Sequence, residues 1–147
     1  MRIGRRVAID VGSKRIGMSI CDQDGILASP LGTVADVQSA LNLVPSDVIQ
    51  IYVGLPLNLK GESTASTDLA VTFARQLGSL TDIPISLLDE RLTTSMANRQ
   101  LREIGKSQRA ARESIDEMAA IAILESALNH ERRYSYAAGI AIQEWNE

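Results

Sequence analysis

Three carboxylates stand where a carboxylate is expensive. Asp10 lies inside "RRVAIDVGSKRIG", residues 5–17, an apolar, β-branched run that reads as a buried strand and passes straight into a glycine-punctuated basic turn. A buried, unpaired charge costs several kcal/mol unless it is hydrogen-bonded, paired or bound to a cation, so something must meet Asp10. Glu90, after Asp89, closes a second apolar run, "IPISLLDE", immediately before "RLTT". Asp116 heads a stripe with Ala119, Ala120, Ile123 and Ala127, the i, i+3, i+4, i+7, i+11 positions of one helical face. Those alanines let the helix backbone approach a sheet closely and bring the Asp116 carboxylate over strand ends.

Each acid also has a plainer reading. "DER" is a solvated strand end followed by a helix cap at Thr93 or Thr94. "SIDE" is a capping box, with Ser114 as N-cap and Glu117 three residues on, and Asp116 then complements the helix dipole. The box accounts for an acid at 116 but not for the apolar face below it.

Three carboxylates from separate segments repel one another unless a cation sits between them. Hard oxygen donors without cysteine or histidine select Mg²⁺ or Mn²⁺. The lone histidine, His130, falls at the end of a helical pattern and reads as a dipole-complementing residue, which argues against zinc. Divalent ions held by carboxylates at a strand edge suit in-line phosphoryl chemistry.

The elements that would position these acids follow from the periodicity. Val7, Ile9 and Val11 alternate with Ala8 and Asp10, a second run spans Ile16 to Cys21, and "ILASPLGTV" contains Pro30, which suits an edge strand. The start is an antiparallel meander. Helix and strand patterns then alternate: "DVQSALNLV" helical, "DVIQIYVGL" strand, "STASTDLAVTFARQLGSL" helical, "IPISLLDE" strand, then helices from Thr93 to Ile104 and from Glu113 to His130. Such alternation implies crossovers and parallel strands. The expected fold is α/β, a five-stranded mixed sheet with helices on both faces, and the C-terminal ends of its first, fourth and fifth strands share one edge, where ligand sites of open α/β sheets fall. The tail, 134–147, carries no clear pattern.

The 147 residues fit one domain, 1–147, which at this size buries roughly 70% of its unfolded surface. Hydrophobic residues make up 45% and charged residues 22%, a globular balance, while five aromatics imply an aliphatic core and argue against base stacking. Cys21 stands alone, which rules out an intrachain disulfide, and "MRIGRR" lacks the apolar stretch of a signal peptide, so a cytoplasmic location is expected. "MAAIAILESAL" falls short of the ~20 residues that span a bilayer, so no membrane is expected. Net charge is −3, yet Arg99, Arg102, Lys106, Arg109 and Arg112 face only Glu103 between residues 99 and 112. That run reads either as a solvated surface or as a clamp for phosphates.

Four ordered blocks, "VAIDVGSKRIGMSICD", "VGLPLNLKGEST", "LLDERLTTSMA" and "SIDEMAAIAIL", resemble the signature blocks of the YqgF family, also called RuvX, the Holliday junction resolvase-like proteins described as pre-16S rRNA nucleases. The resemblance runs from about Val7 to Leu128. It implies a ribonuclease H-like fold, metal-dependent phosphodiesterase activity in ribosomal RNA precursor processing, and metal-binding catalytic acids at Asp10, Glu90 and Asp116, with Mg²⁺ or Mn²⁺ as cofactor. It also implies a nucleic-acid partner, structured RNA ahead of branched DNA, in ribosomal precursor particles. A monomer or weak homodimer is expected. Many resolvases and ribonucleases H place an acid after the fourth strand, where this chain has Gly54-Leu55-Pro56-Leu57-Asn58 and takes its second acid from the fifth strand. YqgF-type sequences share that shift.

The expected nucleic-acid contacts are Lys14, Arg15, Asn58, Lys60, Arg91, Lys106, Arg109 and Arg112. Lys14 and Arg15 are either phosphate contacts beside the metals or solvated turn cations. Asn58 either binds substrate or caps a turn, and Ser63 or Thr64 caps the next helix. Two other function classes remain open. "DVGSKRIG" also resembles the phosphate loop of the sugar kinase, heat-shock and actin superfamily, but that architecture needs two such domains. A non-catalytic regulator of transcription or ribosome assembly would have no use for three convergent acids that repel phosphate.

Overall fold

The computed structural model describes residues 1–92 and 109–146, with the side chains of residues 92 and 109–115 outside that description. Strands β1 (Arg5–Val11), β2 (Ile16–Cys21) and β3 (Ala28–Val34) form the antiparallel meander. Helix α1 (Val37–Leu43) leads to β4 (Val48–Leu55), and α2 (Ala65–Gly78) leads to β5 (Ile85–Asp89). β4 runs parallel to both β1 and β5, as the crossovers require. A 3-10 turn, Glu90–Leu92, follows β5 directly. The long helix α3 (Arg109–Tyr134) ends near the tail, whose two-residue strand β6 (Ile140–Ala141) pairs antiparallel with β5. The sheet order is β3-β2-β1-β4-β5-β6, so Pro30 lies on an edge strand.

Strand alternation sorts the core onto two faces. Val7, Ile9, Val11, Ile51 and Val53 pack with Ala70, Phe73, Ala74 and Leu77 of α2 and with Ala40 of α1. Ala8, Tyr52 and Leu88 face the other way and meet Ile123, Leu124, Ala127 and Leu128 of α3. Asp10 belongs to the α3 face by the same alternation. Of the two residues expected to cap α2, Thr64 is the N-cap, and Thr67 accepts its backbone N–H at 2.9 Å. The Thr67 hydroxyl also donates to the Pro56 carbonyl, which ties the helix start to the exit of β4.

Two expectations about α3 are corrected. The helix begins at Arg109, so Ser114 is not its N-cap, the capping-box reading of "SIDE" fails, and Asp116 lies beyond the first turn. Arginine, alanine and glutamate in "RAARES" are strong helix formers, and they carry the helix upstream of Glu113, where it was expected to begin. At the other end the helix continues past His130 to Tyr134, so His130 is not terminal. The helix expected at Thr93 to Ile104 lies outside the described residues. Among the described residues no helix is long and apolar enough to cross a membrane.

Candidate active site

The three acids are gathered by one row of residues across the α3 face of the sheet. Asp10 pairs with Gly17 on β2, and the register Ile9 to Val53 puts Gly54 of β4 on its other side. Asp10 is thus flanked by two glycines, each ~5 Å away across the strands. Each glycine makes room for one of the other acids. A Cβ at position 17 would fall onto the Asp116 carbonyl, so the absence of a side chain is what lets α3 lie directly on β2. A Cβ at position 54 would overlap the Glu90 carboxylate and the end of Ile123. The Ser19 hydroxyl, donating to the Ala120 carbonyl at 2.8 Å, pins the same stretch of helix to β2. Asp10, Glu90 and Asp116 are all buried, at no more than 1% exposed.

Arg15 supplies a positive charge at this edge. The backbone N–H of Gly12 donates to the Arg15 carbonyl at 2.9 Å and closes the β1–β2 turn, which aims the Arg15 Nε at Asp116 Oδ2, 2.8 Å away. Arg15 is 28% exposed against 1% for Asp116, so the pair reaches from solvent into the buried row. Lys14 is exposed at the tip of the same turn. Among the described residues no three acid, imidazole or thiol groups are close enough together to hold one ion. The glycine row seats the Asp116 backbone against β2 and the Glu90 carboxylate against β4, on either side of Asp10. A donor set of three buried carboxylates fits a hard cation such as Mg²⁺ or Mn²⁺.

A second group of expected contacts assembles beside Glu90. The Asn58 side chain accepts the N–H groups of Lys60 and Glu62, both at 2.9 Å, and donates to the Glu62 carboxylate, so it builds the turn that carries Lys60. The Arg91 guanidinium packs over Gly61 of that turn, 3.1 Å from where a Cβ would stand. Arg91 also pairs with Asp89 at 2.7 Å. Burial pushes the Asp89 carboxyl upward, but the Arg91 hydrogen bonds outweigh it and hold the group below its ordinary range. Lys60 and Arg91 therefore present cations on one exposed shelf. Lys106 lies outside the described residues, as do the side chains of Arg109 and Arg112, whose backbones start α3.

A close backbone approach at Gly17 is legible in the sequence, and the structure supplies it as the Asp116 backbone of α3. The role of Gly54 was missed, although a glycine inside a strand pattern signals close approach by another group. A cavity of about 400 Å³ opens on the opposite face, between Val11, Ile16, Val37, Leu69 and Phe73, and is separate from the acids.

The family model described as RuvX, Holliday junction resolvase, matches residues 4–130. A "Putative pre-16S rRNA nuclease" of Clavibacter michiganensis is 45% identical, with 90% of this chain and 87% of the relative covered. Proteins of the same description from Rhodococcus opacus and Streptomyces avermitilis are 43% and 40% identical, covering 92% and 97% of this chain and 83% and 97% of the relatives. Among solved structures, Thermus thermophilus RuvC in complex with a Holliday junction substrate ("T. thermophilus RuvC in complex with Holliday junction substrate") superimposes with a TM-score of 0.55 at 13% identity, over 91% of this chain and 98% of that one. That likeness establishes a RuvC-like, ribonuclease H-type fold.

Proposed function

The chain belongs to the RuvX family, and from that premise we propose that it is a metal-dependent nuclease hydrolysing phosphodiester bonds in the precursor of 16S ribosomal RNA. The observation that carries this reading is the row Gly17–Asp10–Gly54, which uses two missing side chains to bring Asp116 and Glu90 to either side of a buried Asp10. A fold that needed only stability would gain nothing from burying three acids at one edge of the sheet, because each buried carboxylate carries a desolvation cost.

Asp10, Glu90 and Asp116 would hold the Mg²⁺ or Mn²⁺. The bound metal supplies activation of water and stabilisation of the departing oxygen. The chain's own cations receive the polyanion. Arg15 lies at the mouth of the acidic row, Lys14 stands beyond it, and Lys60 and Arg91 form a shelf on the Glu90 side. Together they offset the repulsion between a buried acidic site and incoming phosphates. Lys106, Arg109 and Arg112 extend the same role in this reading.

The test is incubation of the purified protein with a labelled RNA spanning the 5′ leader of 16S rRNA and with a four-way DNA junction, in Mg²⁺, Mn²⁺ or EDTA. Cleavage of the RNA that EDTA abolishes is the expected result. Cleavage of the junction alone transfers the activity to branched DNA. Binding without cleavage of either substrate reduces the chain to a nucleic-acid-binding regulator.

A further inference from the structure

We infer that the C-terminal end of α3 carries a second nucleic-acid contact, a stacking platform for unpaired bases remote from the acids; this rests on the nucleic-acid-binding reading above. Although aromatic residues are scarce, two of the five lie on one exposed spot with the only histidine. The His130 ring centroid is 4.7 Å from that of Tyr134 and 5.2 Å from that of Tyr136, and the two tyrosine rings are 6.0 Å apart. Ser135 makes this possible. Its φ of +64° and its N–H bond to the Glu131 carbonyl, 2.8 Å, turn the chain sharply at the helix end, so that Tyr136 folds back onto His130.

The rings are joined but not covered. Tyr134 is 48% exposed and Tyr136 is 61% exposed, and the Arg133 guanidinium lies 5.5 Å from the Tyr134 centroid. The more exposed Tyr136 ring, beside a Tyr134 ring that carries the Arg133 guanidinium over it, offers what a single-stranded nucleic acid needs, a π-surface for any base and a cation for the adjoining phosphate. A basic peptide would be repelled by Arg133 and by the neighbouring Arg132, so charge favours the polyanion.

The position adds a length requirement. Eighteen residues separate Asp116 from Tyr134 on one helix, which at ~1.5 Å per residue is roughly 27 Å. At the stacked spacing of ~3.4 Å per nucleotide, a strand of roughly 8 nucleotides reaches both the acids and the rings.

The test is fluorescence anisotropy with labelled 5-nucleotide and 20-nucleotide single-stranded RNAs, and the 20-nucleotide DNA equivalent, with Ca²⁺ replacing Mg²⁺ so that binding is read apart from cleavage. Tyr134→Ala and Tyr136→Ala should each weaken binding of the 20-nucleotide RNA by roughly 5- to 100-fold and cut its affinity advantage over the 5-nucleotide RNA. The phenylalanine variants should retain wild-type affinity, which separates stacking from a fold defect. Arg133→Gln should flatten the salt dependence of log affinity by ~0.7. Equal losses on RNA and DNA assign the contact to the bases, and a loss on RNA alone adds the 2′-OH. An alanine effect absent from the 20-nucleotide RNA overturns the platform. If tyrosine-dependent binding persists in a protein that cleaves nothing, the nuclease reading fails while the platform stands.

Discussion

Two ends of the same sheet bury carboxylates in opposite ways. Below β1, Glu131 is fully buried and held by fixed partners: Arg2 and Arg6 at 3.0 and 2.9 Å, and the Tyr52 hydroxyl, which donates at 2.6 Å. Arg6 is itself fully buried and donates to the carbonyls of Gly4 and Arg2, and Tyr52 accepts the Ala138 N–H at 3.2 Å. Burial pushes the Glu131 carboxyl upward, but hydrogen bonds from Arg2, Arg6 and Tyr52 outweigh it and hold the group at about 2. This network ties the N-terminus, β4, α3 and the tail together. At the other end three acids share one row bounded by glycines, and the described ion pair reaches in from a partly exposed arginine. Where the chain buries a charge for structure, Arg2, Arg6 and Tyr52 hold it in a fixed network. At the acidic row the described partner is Arg15, and the metal proposed above would join it.

The largest contrast should appear on changing an acid at each end. Asp10→Asn removes a required donor and should lower cleavage by roughly 10²–10³-fold or more, the loss of several kcal/mol of metal-based stabilisation. Its melting temperature in metal-free buffer should equal or exceed that of wild type. Glu131→Gln should do the reverse. Breaking a buried pair costs ~3–5 kcal/mol, or roughly 6–20 °C for a chain of this size, while folded protein keeps its turnover. Melting curves beside cleavage rates check both, and a destabilised Asp10→Asn would erase the contrast. The Glu131 contribution is complete above its unfolded pKa near ~4.5 and is lost as pH falls through about 2. The gap in melting temperature between wild type and Glu131→Gln should therefore narrow over that range. A gap that widens in acid gives the wrong sign.

An intermediate effect is expected at the glycines. Gly54→Ala puts a Cβ into the Glu90 carboxylate and Ile123. Overpacking of this kind costs ~1–3 kcal/mol, and misplacing a ligand by about 1 Å costs roughly 10²-fold in rate. The account requires the rate loss to be seen under conditions where the variant is fully folded. Wild-type turnover in Gly54→Ala would mean that Glu90 does not act from that position. Arg15→Gln should have the smallest effect. Its effect is read on binding: the salt slope of RNA binding should fall by ~0.7–0.9 if Arg15 transfers to a phosphate. An unchanged slope returns Arg15 to a purely structural partner of Asp116.

Five of the six strands and the approach of α3 were legible because alternation and helical stripes record which face is buried, whereas β6 falls in the tail, which carries no clear pattern. Pro30 at an edge and the alanines under Asp116 carried their own physical reasons. The start of α3 was misread because Ser114 and Glu117 fit a capping box locally, whereas the helix formers on either side of Ser114 let the helix run through it. The buried Arg2–Arg6–Glu131–Tyr52 network was invisible, since its members are far apart in sequence and only the folded sheet brings them together. The ring cluster escaped for a related reason: whole-chain scarcity of aromatics says nothing about where the few are placed.

In the proposed nuclease, Asp10, Glu90 and Asp116 hold one metal ion between them. Calorimetric titration of Mn²⁺ into the protein without RNA, compared with Asp10→Asn, Glu90→Gln and Asp116→Asn, tests it most directly. Wild type should bind, and each variant should lose at least ~10- to 100-fold in affinity, since loss of an outer-shell partner alone has that effect. Wild-type Mn²⁺ affinity in any one of the three variants, with the protein folded, would contradict the shared site.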